Sequence, residues 1–261
     1  MKIHFNVEYR TKWGEDLRVH LTVVGADGTR KEKICPLETY DGVKWDGEIT
    51  FAAKNVKSFE YKYALYTDDR LYWTEWELAP HVIYVDATSN YYDVEDSWRP
   101  IPEELPLFSS AYTDCVAHHD INPDMPYYSR TLQLRVIEPH LGADQFLGIV
   151  GNVAQLGNWD KPVRMNLVAL QEWAVNIDVS KLIQALEYKY VVLDKDGKIL
   201  QWEEGQNRRI HRIDLPLHHT LIRTDKSPLL KINNWKCAGV VIPVFSIRTN
   251  KSYGVGDFGD L

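Results

Sequence analysis

Residues 150–160 read Val150-Gly151-Asn152-Val153-Ala154-Gln155-Leu156-Gly157-Asn158-Trp159-Asp160. Phe146, Leu147, Ile149 and Val150 lead into them as an apolar strand, and the Gly/Asn-rich run that follows tolerates turn geometries that other residues resist. Trp159 closes that run, so the sequence places a large rigid aromatic at a loop tip rather than inside a strand. An indole presented in this way suits a flat, partly apolar ligand.

The rest of the chain supplies strands. Ile3, Phe5, Val7 and Tyr9 alternate with polar residues, as do Leu17, Val19, Leu21 and Val23, the signature of half-buried strands. Further runs at 44–51, 58–66 and 81–85 are separated by turn clusters such as Ala26-Asp27-Gly28. Short strands at regular spacing without a helical period predict a sandwich or barrel. Residues 94–129, with Pro100, Pro102, Pro106, Pro123 and Pro126, read as a linker whose Trp98, Leu105, Leu107 and Phe108 can pack on a neighbouring domain.

Beyond the linker the chain repeats itself. Ser58-Phe59-Glu60-Tyr61-Lys62-Tyr63 matches Ala185-Leu186-Glu187-Tyr188-Lys189-Tyr190, with Lys62 and Lys189 127 residues apart. Trp45 pairs with Trp173 at 128, the Thr67–Arg70 turn with Asp194–Lys198, and Trp76-Glu77 with Trp202-Glu203 at 126. After Leu215 a polar connector, 218–234, leads to the apolar strand Ala238–Phe245 and the Gly-rich Tyr253–Leu261, where a new domain opens that is too short to bury a core. The sequence therefore reads as a piece of a longer chain.

Composition narrows the partners. Hydrophobic residues make up 44% and charged residues 26% of the 261 positions, ordinary for a globular protein. Nine Trp and fifteen Tyr against seven Phe favour ligand surfaces as well as cores. A net charge of −7 argues against nucleic acid or an anionic membrane. The N-terminus has no apolar signal region and no run approaches a membrane span, so the cytoplasm is the expected location. Cys35, Cys115 and Cys237 lie in no metal-ligand spacing and are expected to be free buried thiols.

The Val-Gly…Leu-Gly-Asn-Trp turn, Trp173 opening a strand, Leu186–Tyr190, and Trp202-Glu203 followed by Asn207-Arg208 resemble, in order and spacing, the family 20 carbohydrate-binding modules, the starch-binding domains of glucoamylases and related enzymes. That resemblance covers 131–215 and implies that Trp159 and Trp202 stack on sugar while Lys189, Glu203 and Asn207 hydrogen-bond its hydroxyls. The first repeat fits less well. After Val23-Val24-Gly25 it lacks the Leu-Gly-Asn-Trp element, leaving Lys62 and Trp76, with Trp73 competing and His81 near the Asn207 position, in a site that is weaker, completed by another aromatic such as Trp13, or lost. Ile242-Pro243-Val244-Phe245-Ser246-Ile247-Arg248 and Tyr253–Asp260 resemble the barrel opening of the family 77 amylomaltases, the 4-α-glucanotransferases.

Other motifs have plainer explanations. Gly254-x-Gly256-x-x-Gly259 does not directly follow a strand, as a dinucleotide-binding loop requires. Asp194-x-Asp196-Gly197 lacks the remaining ligands of a calcium loop and reads as a hairpin turn. His118-His119 and His218-His219 lack a third ligand at useful spacing. Neither metal nor cofactor is expected.

The fold expected is all-β: two tandem immunoglobulin-like β-sandwich starch-binding modules at 1–93 and 130–217, a Pro-rich linker at 94–129, and at 218–261 a connector and the truncated first strand and loop of a (β/α)8 barrel. The expected function is binding of α-1,4-glucans (starch, glycogen, maltooligosaccharides) within a retaining 4-α-glucanotransferase. The catalytic carboxylates of such an enzyme, about 5 Å apart, come from later barrel strands, so these residues alone should bind without catalysing. Two sites on one glucan would gain from effective concentration. Two alternatives stay open: β-modules that hold domains or subunits together without touching sugar, and starch modules on a different α-glucan-active enzyme.

Overall fold

The computed structural model describes residues 1–52, 55–211, 213–228 and 230; the anticipated barrel strand and Gly-rich loop, with Cys237, lie outside the described residues. The first half of the chain forms β1 (Lys2–Glu8), β2 (Glu15–Gly25), β3 (Arg30–Pro36), β4 (Lys44–Thr50), β5 (Val56–Thr67), β6 (Arg70–Thr74), β7 (His81–Tyr84) and β8 (Tyr91–Ser97). The second forms β9 (Arg130–Ile137), β10 (Phe146–Gly151), β11 (Val163–Arg164), β12 (Asn166–Ala169), β13 (Glu172–Asp178), β14 (Leu186–Leu193), β15 (Ile199–Trp202), β16 (Arg208–Ile210) and β17 (His219–Asp225). The period-two pattern holds where the sequence shows it: in β1, Ile3, Phe5 and Val7 are buried while Lys2, Asn6 and Glu8 are exposed.

Each half stacks two sheets around its own core. In the first, β3-β2-β5-β6, with β7 also on β5, covers β1, β4 and β8. In the second, β11-β10-β14-β15, with β16 also on β14, covers β9, β12, β13 and β17. Trp45 stands opposite Val7 and Trp173 opposite Val136, both buried, so these two indoles are core residues in both repeats.

The two halves share a sheet. β8 and β17 end their respective halves and pair with each other in parallel, His219 opposite Tyr91 through Arg223 opposite Glu95. The result is one seven-stranded sheet, β12-β13-β9-β17-β8-β1-β4. Ile222, opposite Val94, packs into the first core, whereas its neighbour Leu221 packs into the second. Successive strand residues point to opposite faces, so the two five-stranded sheets lie on opposite faces of the shared one.

Two stretches differ from the sequence expectation. Val94–Ser97, assigned to the linker, belongs to β8, whose inward position 96 carries an aspartate where an apolar residue would have marked a strand. His218–Asn234, read as a connector, contains β17, where Thr220 and Thr224 occupy the face turned toward the first half. The remaining linker is ordered by packing: short helical turns at Leu105–Phe108 and Ser110–Thr113 bury Leu107 and Tyr112, and Trp98 stacks on Tyr9 with 4.2 Å between ring centres. Cys35 is buried as expected, but Cys115 is exposed, and both are free thiols.

A buried polar seam runs beside the shared sheet. Arg99 donates to Glu172 at 2.9 Å, and Arg135 donates to the Val82 carbonyl at 2.6 Å, tying the linker and β9 to β13 and β7. Nearby, the two ring nitrogens of His81 face Glu75 at 3.1 Å and Asp96 at 3.3 Å. Burial alone raises the Asp96 carboxyl pKa, but His81 and Arg99 outweigh it and hold the group below the usual range. Glu172 is held low in the same way, burial being overcome by Arg99 and Arg135.

Carboxyls with depressed pKa values contribute stability above their unfolded value of about 4 and lose it as pH falls through the lower folded value. Unfolding followed by circular dichroism should therefore set in below about pH 4, and Asp96→Asn should flatten that dependence. Ile222→Ala should cost about 2–4 kcal/mol and lower hydrogen-exchange protection in β1 and β5 of the first half, although the residue belongs to the second.

Candidate functional site

The outer face of the second five-stranded sheet carries an unusual load. On β14 the inward residues Leu186, Tyr188, Tyr190 and Val192 join the main core, while Val191 and Leu193, facing outward, form a separate apolar cluster with Val150. Phe146, Trp159 and Ile199 pack against that second cluster. Trp202 stands opposite Val191 and Lys189 opposite Val150; residues directly opposite in a ladder share a face. Trp159, Trp202 and Lys189 are thus brought together on one face, with Trp202 44% exposed.

The Trp159 loop is held from several sides. Asn152 accepts from the Glu187 backbone and donates to the Ala185 carbonyl, each at 2.9 Å, and Gln155 makes a reciprocal pair with the Asp178 backbone. A Cβ on Gly151 would run into the Glu187 carbonyl, so glycine is required there. Gly157, Asn158 and Trp159 all have positive φ, 72°, 50° and 63°. For a residue as bulky as tryptophan that conformation is costly. The loop is preset rather than slack.

Lys189 and Glu203 both have partners within the fold. Lys189 Nζ donates to the Glu203 carbonyl at 3.1 Å and the Gly205 carbonyl at 2.6 Å, fixing the loop that presents the exposed Asn207; an ammonium has a third donor to offer. Glu203 is 6% exposed. Its Oε1 accepts from Arg208 Nε at 2.8 Å and its Oε2 from the Tyr190 backbone at 3.2 Å. Both carboxylate oxygens are engaged inside the fold, so that Glu203 also holds Arg208 and the Tyr190 backbone in place.

The ladders also correct the alignment of the repeats. Glu75 and Glu203 play the same part: each backbone N–H donates to the carbonyl of a core tyrosine, Tyr63 or Tyr190, and each side chain accepts from that tyrosine's own N–H. The residue before Glu203 is Trp202; the residue before Glu75 is Thr74, opposite Ala64 as Trp202 is opposite Val191. Trp76 is therefore not the counterpart of Trp202. It packs edge-on against Phe108, 5.0 Å between ring centres, beneath the linker. Trp73 stands opposite Leu65, one register step away from the face in question. His81 corresponds to Arg208, between Glu75 and Asp96 as Arg208 lies between Glu203 and Asp225, not to Asn207.

Gly151 is likewise matched by Leu21, each lying opposite the matched tyrosine, Tyr188 or Tyr61, and not by Gly25. Where β10 stops and turns, β2 continues through a full hairpin with β3, which leaves no place for a Trp159 loop. Trp13 is fully exposed in the turn before β2. Ion pairs cross the first half's equivalent face: Lys62 is paired with Glu77 at 2.6 Å, Arg30 makes a two-point pair with Glu60, and Arg18 pairs with Asp16 and Asp69. The outward cluster Val150, Val191 and Leu193 was overlooked in the sequence, although Tyr190-Val191-Val192-Leu193 is apolar on both strand faces and so announces a cover on each.

Residues 130–214 match the starch binding domain. Among curated proteins, the 4-alpha-glucanotransferase DPE2 of Oryza sativa subsp. japonica is 24% identical over 279 residues, covering 98% of this chain and 29% of that protein, so the chain spans less than a third of that relative. Solved structures with similar parts include the family 20 module of a maltotetraose-forming amylase from Pseudomonas saccharophila STB07 (22% identity, 36% of this chain, 99% of that one, TM-score 0.29) and a family 15 glucoamylase from Hypocrea jecorina (22%, 39%, 18%, TM-score 0.32). The strand ladders themselves carry the comparison of the two halves. Within the starch-binding-domain match, Glu203→Ala should cost about 3 kcal/mol by leaving Arg208 and the Tyr190 N–H without their acceptor, measured as a shift in the urea unfolding midpoint.

Proposed function

We propose that the second half of the chain binds α-1,4-glucan across the face bearing Trp159 and Trp202. The observation that carries this is an outward apolar cluster, separate from a complete core, overlaid by one indole and flanked by another. A pyranose lays its C–H face on an indole and turns its hydroxyls to the rim, where Asn207 and the remaining Lys189 donor are placed to meet them. Because the loop is preset, less conformational entropy is lost on binding.

The first half acts as a brace in this reading, since its equivalent face lacks both indoles. The outer faces of the two five-stranded sheets look away from each other across the shared sheet, so the gain from two sites on one strand, expected from the sequence, does not apply to these two faces. The similarity to a 4-alpha-glucanotransferase over nearly the whole chain supports a parent enzyme of that activity, which in this reading moves α-1,4-glucan segments between chains; we further propose the cytoplasm as its location and a retaining mechanism. This region would hold the glucan near a catalytic domain contributed by the rest of the protein.

Calorimetric titration with β-cyclodextrin tests the binding. Trp202→Ala should weaken it by about 2 kcal/mol, roughly thirtyfold, while Trp76→Ala should leave the affinity unchanged and lower the thermal midpoint. No heat from the wild-type chain at millimolar sugar would overturn the reading.

A further inference from the structure

Arg164, Gly148, Val191 and Trp202 stand in one cross-strand row over β11, β10, β14 and β15. With strands about 4.8 Å apart, the row is about 14 Å long. Gly148 puts no side chain of its own in the middle of the row, and the Leu193 side chain fills that place, so that a Cβ there would meet the Leu193 Cγ at 2.8 Å. At the far end the Arg164 guanidinium lies over the Phe146 ring, 3.3 Å from its centre. Phe146 is backed edge-on by His119 at 5.4 Å.

The first half supplies a contrast. Arg18 also lies over an aromatic ring, that of Tyr66 at 4.1 Å, but its donors go to Asp16 and Asp69. Arg164 makes no ion pair or hydrogen bond among the described residues. Its side chain is steadied by stacking while its five N–H donors stay open. A fixed fork of donors carried on an aromatic ring matches a chain of sugars, which presents hydroxyl acceptors along its rim.

We propose that Arg164 and Phe146 form an outer subsite of the glucan face, so that the site takes an oligosaccharide longer than the two indoles span, with Arg164 donating to hydroxyls of the sugar unit farthest from Trp202. This rests on the glucan reading of Trp159 and Trp202. Arg164 sets a length preference rather than the basic affinity.

Calorimetry of the 261-residue chain with maltotriose and maltoheptaose tests the subsite. Wild type should prefer maltoheptaose. Arg164→Ala should weaken maltoheptaose about five- to tenfold, the scale of a lost charge-assisted hydrogen bond, and leave maltotriose within about twofold. Phe146→Leu should act in the same direction. An unchanged maltoheptaose affinity in Arg164→Ala, or an equal loss for both sugars, would overturn the subsite while leaving the glucan reading intact. Wild type that binds neither sugar would overturn that reading and the subsite with it. An unchanged thermal midpoint of Arg164→Ala separates a contact from a folding defect.

Discussion

The pairing of β8 with β17 is the constraint on which the rest of the molecule depends. Each strand closes one sandwich, and each would otherwise leave an unpaired edge, the kind of surface that invites aggregation. Joined in parallel, they remove both edges at once and force the side chains of one strand into two cores, Ile222 into the first and Leu221 into the second. The buried charges beside them, Arg99, Arg135 and Glu172, add little net stability for their number, because taking ions out of water costs nearly what their attraction returns. They do favour one register: a slip along the ladder would part Glu172 from Arg99 and Arg135 and leave it a buried, unpaired charge.

Two copies of one scaffold have diverged by what they do with the outer face of a strand pair. β14 and β5 keep the same inward tyrosines, bonded to Asp225 and Asp96 respectively. Outward, both carry a Glu and a Lys, Glu187 and Lys189 against Glu60 and Lys62, while the places of Val191 and Leu193 are taken by Ala64 and by Tyr66, the latter under the Arg18 guanidinium. The second half covers its cluster with the Trp159 loop, where the first continues into the β2–β3 hairpin.

Much of this was legible in the residues. Period-two alternation located β1, β2, β5 and β7, and the repeated Glu-Tyr-Lys-Tyr located the two halves. What escaped had physical reasons. β3 is an edge strand with a single buried residue, so it shows no alternation, and β8 and β17 place Asp or Thr at buried positions because those faces meet a seam of charges or another strand. Matching Trp76 with Trp202 followed identity along the chain, whereas the structure aligns the glutamates that cap the core tyrosines. A two-residue difference in offset is enough to carry a tryptophan from the outer face of the sheet to the underside of a linker. Glu203 reads in the sequence as an acidic residue free beside a surface indole, whereas in the fold Arg208, five positions on, reaches back for it.

The opposed orientation of the two five-stranded sheets gives the molecule a top and a bottom. On an insoluble granule, a protein that adheres through the Trp159 and Trp202 face lies with its charged first half turned outward. In the proposed reading, a layer of such molecules would present the ion-paired face of the first half to the solvent. Adsorption would then tend to stop at a single layer, and each molecule would sit with the same side down.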